Sequence, residues 1–465
     1  MLESLVRSNI PRLQSFYDCF PSPARHLMTS ARGWFLTQIR YSTEARAILR
    51  ELRRHESWSW HQIYDHQCNE LRQIVDHARR TVPYYAGYPD AEIRCPADLR
   101  QLPVLHRETV RQNQERLLSA TTPQRRRIRA GTTGTTGANL RVAYTEELAR
   151  ENWAHLLRQW SWAGVEPRTP RVTLFGARIV PSNRTRPPFW TFNLAERQIL
   201  MSIFHISEST APAYLDFLES QSGKILEGFP SVLGIVADFA LRRGRPIPMR
   251  VIFTSGEPLY ASVRAKIEQA FQARVFDSYG MTEYCGLIQE CEHGQMHLLP
   301  EYGYLEILDE QDCPVEAGEE GYFVWTGFLN RAMPLIRYRI GDRGRWQPGS
   351  SCACGRAFPL VVPTITRESD VLRCPDGRLF SPRALNQLLK HSSSLRSCQF
   401  IHDRPERVVV RAVPSNGHAT EDAMRIRASL QEMLGPGICV SAEIAAEPIA
   451  RPGGKIPLIV NRVRQ

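Results

Sequence analysis

Residues 223–257 read GKILEGFPSVLGIVADFALRRGRPIPMRVIFTSGE. A short apolar run, "GKILEGFP", is followed by a helical stretch, "SVLGIVADFALRRG", and then by a second apolar run, "RVIFTSGE". Upstream, "RVTLFG" and "QILMSIFHI" have the same strand-like character, with the helical "APAYLDFLES" after them. Downstream, "LYASVRAKIEQAF" reads as helix and "ARVFDSYG" as strand. Strands that alternate with helices in this way predict α/β layers around a largely parallel sheet.

The pattern changes after Glu301. "GYLEIL", "GYFVWTGF" and "PLIRYRIGD" are consecutive strand-like runs separated by turn residues, which predicts an antiparallel β subdomain. A boundary is expected near residue 366. Beyond it, "SPRALNQLLKHS" and "EDAMRIRASLQEML" read as helices and "SCQFIH", "RVVVRAVP" and "CVSAEIA" as strands, a small α+β unit. At the other end, residues 1–60 read as amphipathic helix, as in "STEARAILRELRRHESW". The expected organisation is a helical segment over 1–64, a large domain over 65–365 and a small C-terminal domain over 366–465.

With 465 residues, 42% hydrophobic and 9% aromatic, the chain is large enough for a substantial core. No apolar run has the length of a membrane span and the first twenty residues lack a secretory core, so the cytoplasm is the expected location. Eleven unevenly spaced cysteines do not suggest a disulfide framework. The net charge of +11 fits nucleic acid, an acidic membrane surface or polyphosphate substrates. No recognition helix, RNA-stacking motif or basic tail is present, and nucleic acid is not an expected partner.

One segment has almost no side-chain volume: "GTTGTTG", Gly131 to Gly137, directly after the basic run "QRRRIR". No lysine follows as in a Walker A loop, and the glycines at 131, 134 and 137 do not make GxGxxG. What remains is a loop whose backbone N–H groups and threonine hydroxyls can surround phosphate oxygens, or a surface loop. Three more segments stand in order behind it: "DSYGMTE" (277–283), "IRYRIGDRGRW" (336–346) and "RPGGKIPLIVN" (451–461).

Together the four segments resemble the signatures of the adenylate-forming superfamily of acyl-CoA synthetases and adenylation domains. "HARRTVPYYAG", "SGEPL" and "CACGR" are similar to the phenylacetate–CoA ligase branch, including homologues associated with capsular polysaccharide synthesis. The resemblance covers residues 65 to 465. It implies ATP-dependent activation of a small carboxylic acid as acyl-adenylate, pyrophosphate release, and acyl transfer to coenzyme A. An amine or hydroxyl of a sugar or other metabolite is the alternative acceptor. A non-catalytic nucleotide-binding scaffold is the rival from another class, against which the joint retention of Glu283, Asp342 and Lys455 argues. A homodimer is compatible with the resemblance.

The resemblance also implies roles. Thr132, Thr133, Gly134, Thr135, Thr136 and Gly137 would hold the β- and γ-phosphates of ATP. Ser278, Tyr279, Gly280 and Met281 would line the nucleotide, with Tyr279 stacked on adenine. Thr282 would touch the α-phosphate and Glu283 would bind Mg²⁺. Asp342 would accept hydrogen bonds from the ribose, with Arg339 facing the same nucleotide. Lys455, on a mobile C-terminal domain, would bridge carboxylate and phosphate. Gly228, Phe229, Pro230, Tyr284, Cys285 and Gly286 would line the acyl pocket. The segment Thr366, Arg367, Glu368, Ser369, Asp370 stands where the family's G-R-x-D-D hinge lies, with threonine replacing glycine. Missing too is the lysine that often precedes the Gly/Thr loop, so that charge is absent or comes from the arginines upstream.

Two cysteine-rich clusters, "CEHGQMH" and "CACG", stand some sixty residues apart. Spacing alone does not bring them together. A Cys₃His set suits structural zinc, and the resemblance favours Cys291, His297, Cys352 and Cys354, with His293 as substitute for His297.

Overall fold

The opening stretch folds as expected, and the computed structural model shows what holds it. The structure describes residues 17–133, 139–181, 183–347, 351–364, 394–414, 419–449 and 457–462, with shorter stretches between 372 and 392. From the N-terminus come α1 (Ser22–Arg40), α2 (Thr43–His55), α3 (Trp60–Thr81), β1 (Leu105–His106) and α4 (Arg107–Gln112). Next are the hairpin β2 (Ile128–Thr133) and β3 (Asn139–Tyr144), then α5 (Glu146–Trp162), β4 (Arg171–Leu174), β5 (Trp190–Asn193) and β6 (Gln198–Met201). After α6 (Ala211–Glu219) the chain runs through β7 (Ile225–Gly228), α7 (Pro230–Arg243), β8 (Val251–Ser255), α8 (Ala261–Phe271) and β9 (Val275–Gly280).

Helix α7 starts on Pro230, whose fixed φ and missing N–H suit a first helical turn. It ends at Gly244, whose φ of 73° closes the helix in the left-handed region. Strands β6, β4, β7, β8 and β9 pair in parallel, in that order. The sheet continues antiparallel on one side through β10 (Leu287–Glu290) to β11 (Met296–Leu298), and on the other to β5. Both faces are covered, as a parallel sheet requires. Leu226, Ile252 and Val275 face the core shared with α6, α7 and α8, whereas Ile225, Val251, Phe253 and Phe276 face Leu157 and Trp160 of α5 and Leu49 and Leu52 of α2.

The antiparallel subdomain is also present. Strands β12 (Gly303–Leu308), β13 (Gly321–Gly327) and β14 (Tyr338–Trp346) pair in sequence, β15 (Val361–Pro363) joins β14, and β1 adds in parallel. In the C-terminal part, β16 (Leu372–Arg373) pairs with β17 (Leu379–Phe380). Strands β18 (Leu395–Arg404) and β19 (Arg407–Pro414) form the centre of a four-stranded sheet, flanked in parallel by β21 (Ile459–Asn461) and β20 (Cys439–Ile444), with α9 (Ala419–Leu434) packed on it.

Two details differ from expectation. The boundary at residue 64 falls inside α3, one continuous helix with a Ser59–Gln62 capping box. The strand expected over "QILMSIFHI" stops at Met201, because Ser202 Oγ turns the chain through bonds to His205 Nδ1 at 2.7 Å and Phe204 N at 3.3 Å. Of the helix expected over 381–392, the described residues show α-helix at Ala384–Leu385 and a tight 3₁₀ turn at Gln387–Leu389, and 381–383, 386, 390 and 391 lie outside the described residues. Among the described residues no helix is long and apolar enough to cross a bilayer.

Candidate active site and metal centre

Strand β9 carries Ser278, Tyr279 and Gly280, and the turn after it carries Met281, Thr282 and Glu283. Tight packing fixes this turn. Tyr284 sits at φ 57°. A Cβ on Gly303 would lie 2.1 Å from the Cys285 carbonyl oxygen, and one on Gly327 would lie 2.7 Å from Cys285 Cα. Only glycine allows two strands to close on the backbone in this way.

Glu283 is 2% exposed. Its Oε1 accepts hydrogen bonds from Tyr338 at 3.0 Å and from Arg107 Nη1 at 3.2 Å. Arg107 reaches it because β1 pairs in parallel with β14, placing Leu105 opposite Tyr338, and Arg107 follows directly as the first residue of α4. Nothing in the sequence around Arg107 marked it as a site residue. Burial works against its charge, but the Tyr338 hydroxyl and the Glu283 carboxylate more than offset this and hold its pKa up.

Tyr279 donates from its hydroxyl to Asp342 Oδ2 at 2.8 Å, joining the YGMTE and RYRIGD segments. Its ring meets Phe323 edge-on at 5.6 Å and lies parallel to Trp325 at 6.3 Å. Burial, and then the adjacent Asp342 charge, raise the phenol's pKa well above its ordinary value, so it is a hydrogen-bond donor at neutral pH. A bulge aims Asp342. Tyr322 pairs with Arg343 and Val324 with Arg339, leaving Ile340, Gly341 and Asp342 opposite Phe323 alone. Gly341, at φ 101°, supplies the backbone conformation.

The structure corrects the expectation for Arg339. Its Nη1 pairs with Asp312 Oδ1 at 2.9 Å and its guanidinium stacks 3.8 Å above Tyr322. Tyr322 and Phe323 point to opposite sides of β13, so Arg339 lies across the sheet from Tyr279. Ser278 also turns inward, donating to Thr254 O at 3.3 Å. Asp277 is a half-buried neighbour that sequence reasoning did not single out. Burial raises its carboxyl to about 7, while the 2.6 Å bond from Thr254 Oγ1 opposes the shift.

The proposed acyl-pocket residues fall into differently packed places. Phe229 meets Phe175 edge-on at 4.9 Å, next to Gly228 and Pro230. The Tyr284 ring lies 5.0 Å from Tyr144. Cys285 is 1% exposed within the core of the β subdomain, and a Cβ on Gly286 would stand 2.2 Å from the Trp325 ring. Cys285 and Gly286 therefore face packed side chains rather than an open chamber.

For Thr132 and Thr133 the backbone is described. They lie on β2 opposite Leu140 and Asn139. Gly134, Thr135, Thr136, Gly137, Arg367, Ser369, Asp370 and Lys455 lie outside the described residues. The arginines before the loop are anchored within the protein. Arg126 pairs with Glu147, Arg127 bonds the carbonyls of Ser119 and Thr122 at 2.8 Å each, and Arg129 lies 3.3 Å from Glu115.

Cys291, His297, Cys352 and Cys354 come together, their ligand atoms all within 4.8 Å of one another. Cys291 Sγ is 3.6 Å from Cys352 Sγ, and Cys354 Sγ is 3.4 Å from His297 Nε2. The donors arrive from two elements: Cys291 and His297 from the β10–β11 hairpin, and Cys352 and Cys354 from the segment before β15. His297 Nδ1 lies 3.1 Å from Phe358 O, which sets the tautomer and leaves Nε2 to face the thiols. Backbone N–H groups of His293 and Cys354 point at the sulfurs of Cys291 and Cys352, at 3.3 and 3.5 Å. These bonds favour thiolate. The donor set therefore fits a four-coordinate zinc ion.

No protein-family model matches the chain. It is 22% identical over 463 residues to Protein CapK of Staphylococcus aureus, covering 97% of this chain and 100% of the relative. It is 24% identical over 372 residues to a phenylacetate-coenzyme A ligase of Pseudomonas putida (75% and 80%), and 26% identical over 301 residues to that of Escherichia coli (61% and 67%). Among solved structures, a 2-hydroxyisobutyryl-CoA ligase in complex with 2-HIB-AMP and CoA shares the fold, with a TM-score of 0.57 at 19% identity over 88% of this chain and 91% of that one. Full-length similarity to one relative, partial similarity to several ligases and a shared fold make the chain similar to adenylate-forming ligases, and among them to the phenylacetate–CoA ligase-like branch.

Proposed function

We propose that the protein is an AMP-forming ligase that activates a small carboxylic acid with ATP and passes the acyl group to coenzyme A. In the first step a carboxylate oxygen bonds to the α-phosphorus and the bond to pyrophosphate breaks. In the second a thiolate attacks the acyl carbon and AMP leaves. The observation that carries this reading is the meeting of Glu283, Asp342, Tyr279 and Tyr338 across two sheets, with Arg107 beside them. Two carboxylates, two phenols and a guanidinium in one place suit a nucleotide: Asp342 for the ribose hydroxyls, Tyr279 for the base.

Glu283, held by Arg107 and Tyr338, is a carboxylate placed to bind Mg²⁺, which supplies charge neutralisation for the phosphates. The Gly/Thr loop would cradle the pyrophosphate end, and Lys455 would draw carboxylate and α-phosphate together. Zinc held by Cys291, His297, Cys352 and Cys354 would be structural, since the four protein donors complete its shell.

Transfer to an amine or hydroxyl is the second reading, favoured by Thr366 in place of the hinge glycine. A panel of carboxylic acids assayed for pyrophosphate exchange and hydroxylamine-trapped acyl-adenylate, with and without coenzyme A, tests both. Acid-dependent exchange with AMP release stimulated by coenzyme A is the expected result. Exchange without that stimulation favours the second acceptor, and no exchange with any acid overturns the enzymatic reading.

A further inference from the structure

Helix α1 is built with its polar side inward. The side facing the sheet carries Arg25, Gly33 and Thr37, all buried, together with His26 and Ser30. His26 Nδ1 accepts from Phe192 N at 3.3 Å, and Ser30 Oγ donates to Phe192 O at 3.3 Å and accepts from Leu194 N at 3.0 Å. Gly33 lies so close to Asn193 that a Cβ would stand 1.9 Å from its Oδ1.

The outward side carries large apolar side chains, with Arg32 and Gln38 exposed among them. Leu27, Ala31 and Trp34 recur at helical spacing, with Phe35 beside them. Leu27 is 69% exposed, Trp34 55% and Phe35 43%, and Leu194, tied to the helix through Ser30, is 70% exposed. The rings of Trp34 and Phe35 meet edge-on at 5.0 Å, and exposed apolar side chains gathered on one helix face mark an interaction surface.

The rim identifies the occupant. Helix α1 contains no aspartate or glutamate. Arg32 is exposed on it, and Arg197 is exposed in the turn that carries Leu194. Arg168, also exposed, donates to Ala195 O at 3.1 Å and lies over the ring of Tyr41, which caps α1, so it bridges turn and helix. The acid of that turn, Glu196, is fully buried and paired with Arg40 and Arg171. Pairing with a second copy across a two-fold axis would set the same arginines against each other. Tryptophan, phenylalanine and leucine ringed by arginines instead match a headgroup–acyl boundary carrying negative charge.

We propose that the outer face of α1, with Leu194, seats the protein on an anionic phospholipid bilayer. Association is peripheral and reversible. Sedimentation of the full chain with phosphatidylcholine vesicles, with and without phosphatidylglycerol, tests this. Binding is expected with the anionic vesicles only, and it should weaken in 1 M salt, where the screening length falls to about 3 Å. The double substitution Leu27→Gln and Trp34→Gln should lower vesicle affinity on the order of a hundredfold, with melting temperature and pyrophosphate exchange unchanged. Arg32→Glu with Arg197→Glu should abolish the preference for anionic lipid. Absence of binding to anionic vesicles, or binding that the double substitution leaves intact, overturns the proposal. So does a concentration-dependent dimer, formed without vesicles, that the same substitutions dissociate.

Discussion

Arg107 and Glu283 show how one side chain sets the chemistry of another. Glu283 is buried, and its carboxylate is held by the guanidinium 3.2 Å away and the Tyr338 hydroxyl at 3.0 Å. Replacing Arg107 by alanine should slow acyl-adenylate formation by about 100-fold, with Arg107→Lys recovering part of the loss. Pyrophosphate exchange measured across a range of Mg²⁺ concentrations checks this, and an alanine variant with wild-type exchange would remove Arg107 from the site. Lys455→Ala should nearly abolish acyl-adenylate formation and leave ATP affinity within a few-fold, read by exchange and by nucleotide titration. Glu283 and Asp342 could be named from the sequence because YGMTE and RYRIGD resemble family segments. Arg107 was not, since a lone arginine reveals nothing until the two residues of β1 pair with β14 and deliver it.

Elements decide whether such residues can meet. "CEHGQMH" and "CACG" were visible as donor clusters, but whether they join depends on the β10–β11 hairpin lying against the segment before β15, seen in the pairing of His297 with Leu360. Burial pushes the Cys352 thiol up to about 12 and raises that of Cys291 too, so without a cation these side chains are neutral thiols. Metal binding must displace those protons, and zinc retention should therefore weaken as pH falls. Purified protein should carry about one zinc per chain by elemental analysis. Cys352→Ser should remove it, lower the melting temperature, and expose the amides of β10 and β11 to hydrogen exchange ahead of the rest. Loss of zinc with unchanged exchange there would rule out a structural role. The β14 bulge is another feature that only pairing reveals. "RYRIGD" reads as a plain strand, on which alternation puts Tyr338 on one face and Arg339 on the other, as the structure has them.

At the scale of the whole molecule, the stretch before residue 60 was legible as amphipathic helix, but what it packs against was not. The structure shows α2 and α5 tied to the β subdomain through one buried carboxylate. Glu301 takes Arg158 at 2.7 and 3.2 Å and His55 Nδ1 at 3.2 Å, and His155 Nδ1 lies 3.4 Å from Arg158 Nη2. Burial alone would raise the Glu301 pKa, but the Arg158 charge and the bond from His55 outweigh it and hold the carboxyl well below the usual range. Burial, reinforced by Arg158, lowers His155 to about 3. Both shifts act in the same direction. Between the unfolded histidine value of about 6.5 and His155's folded value, the unfolded chain binds more protons, so stability falls as pH falls. Below the unfolded carboxylate value of about 4.3, Glu301 adds its own loss as its folded pKa is approached. His155→Phe should flatten the first phase and leave the second. Glu301→Gln should cost about 3–5 kcal/mol near pH 7, because it strands Arg158 without a counter-charge, and should remove the second phase. Chemical denaturation at a series of pH values separates the two; a Glu301→Gln variant as stable as wild type at neutral pH would show that α2 and α5 are held to the β subdomain by apolar packing rather than by this carboxylate.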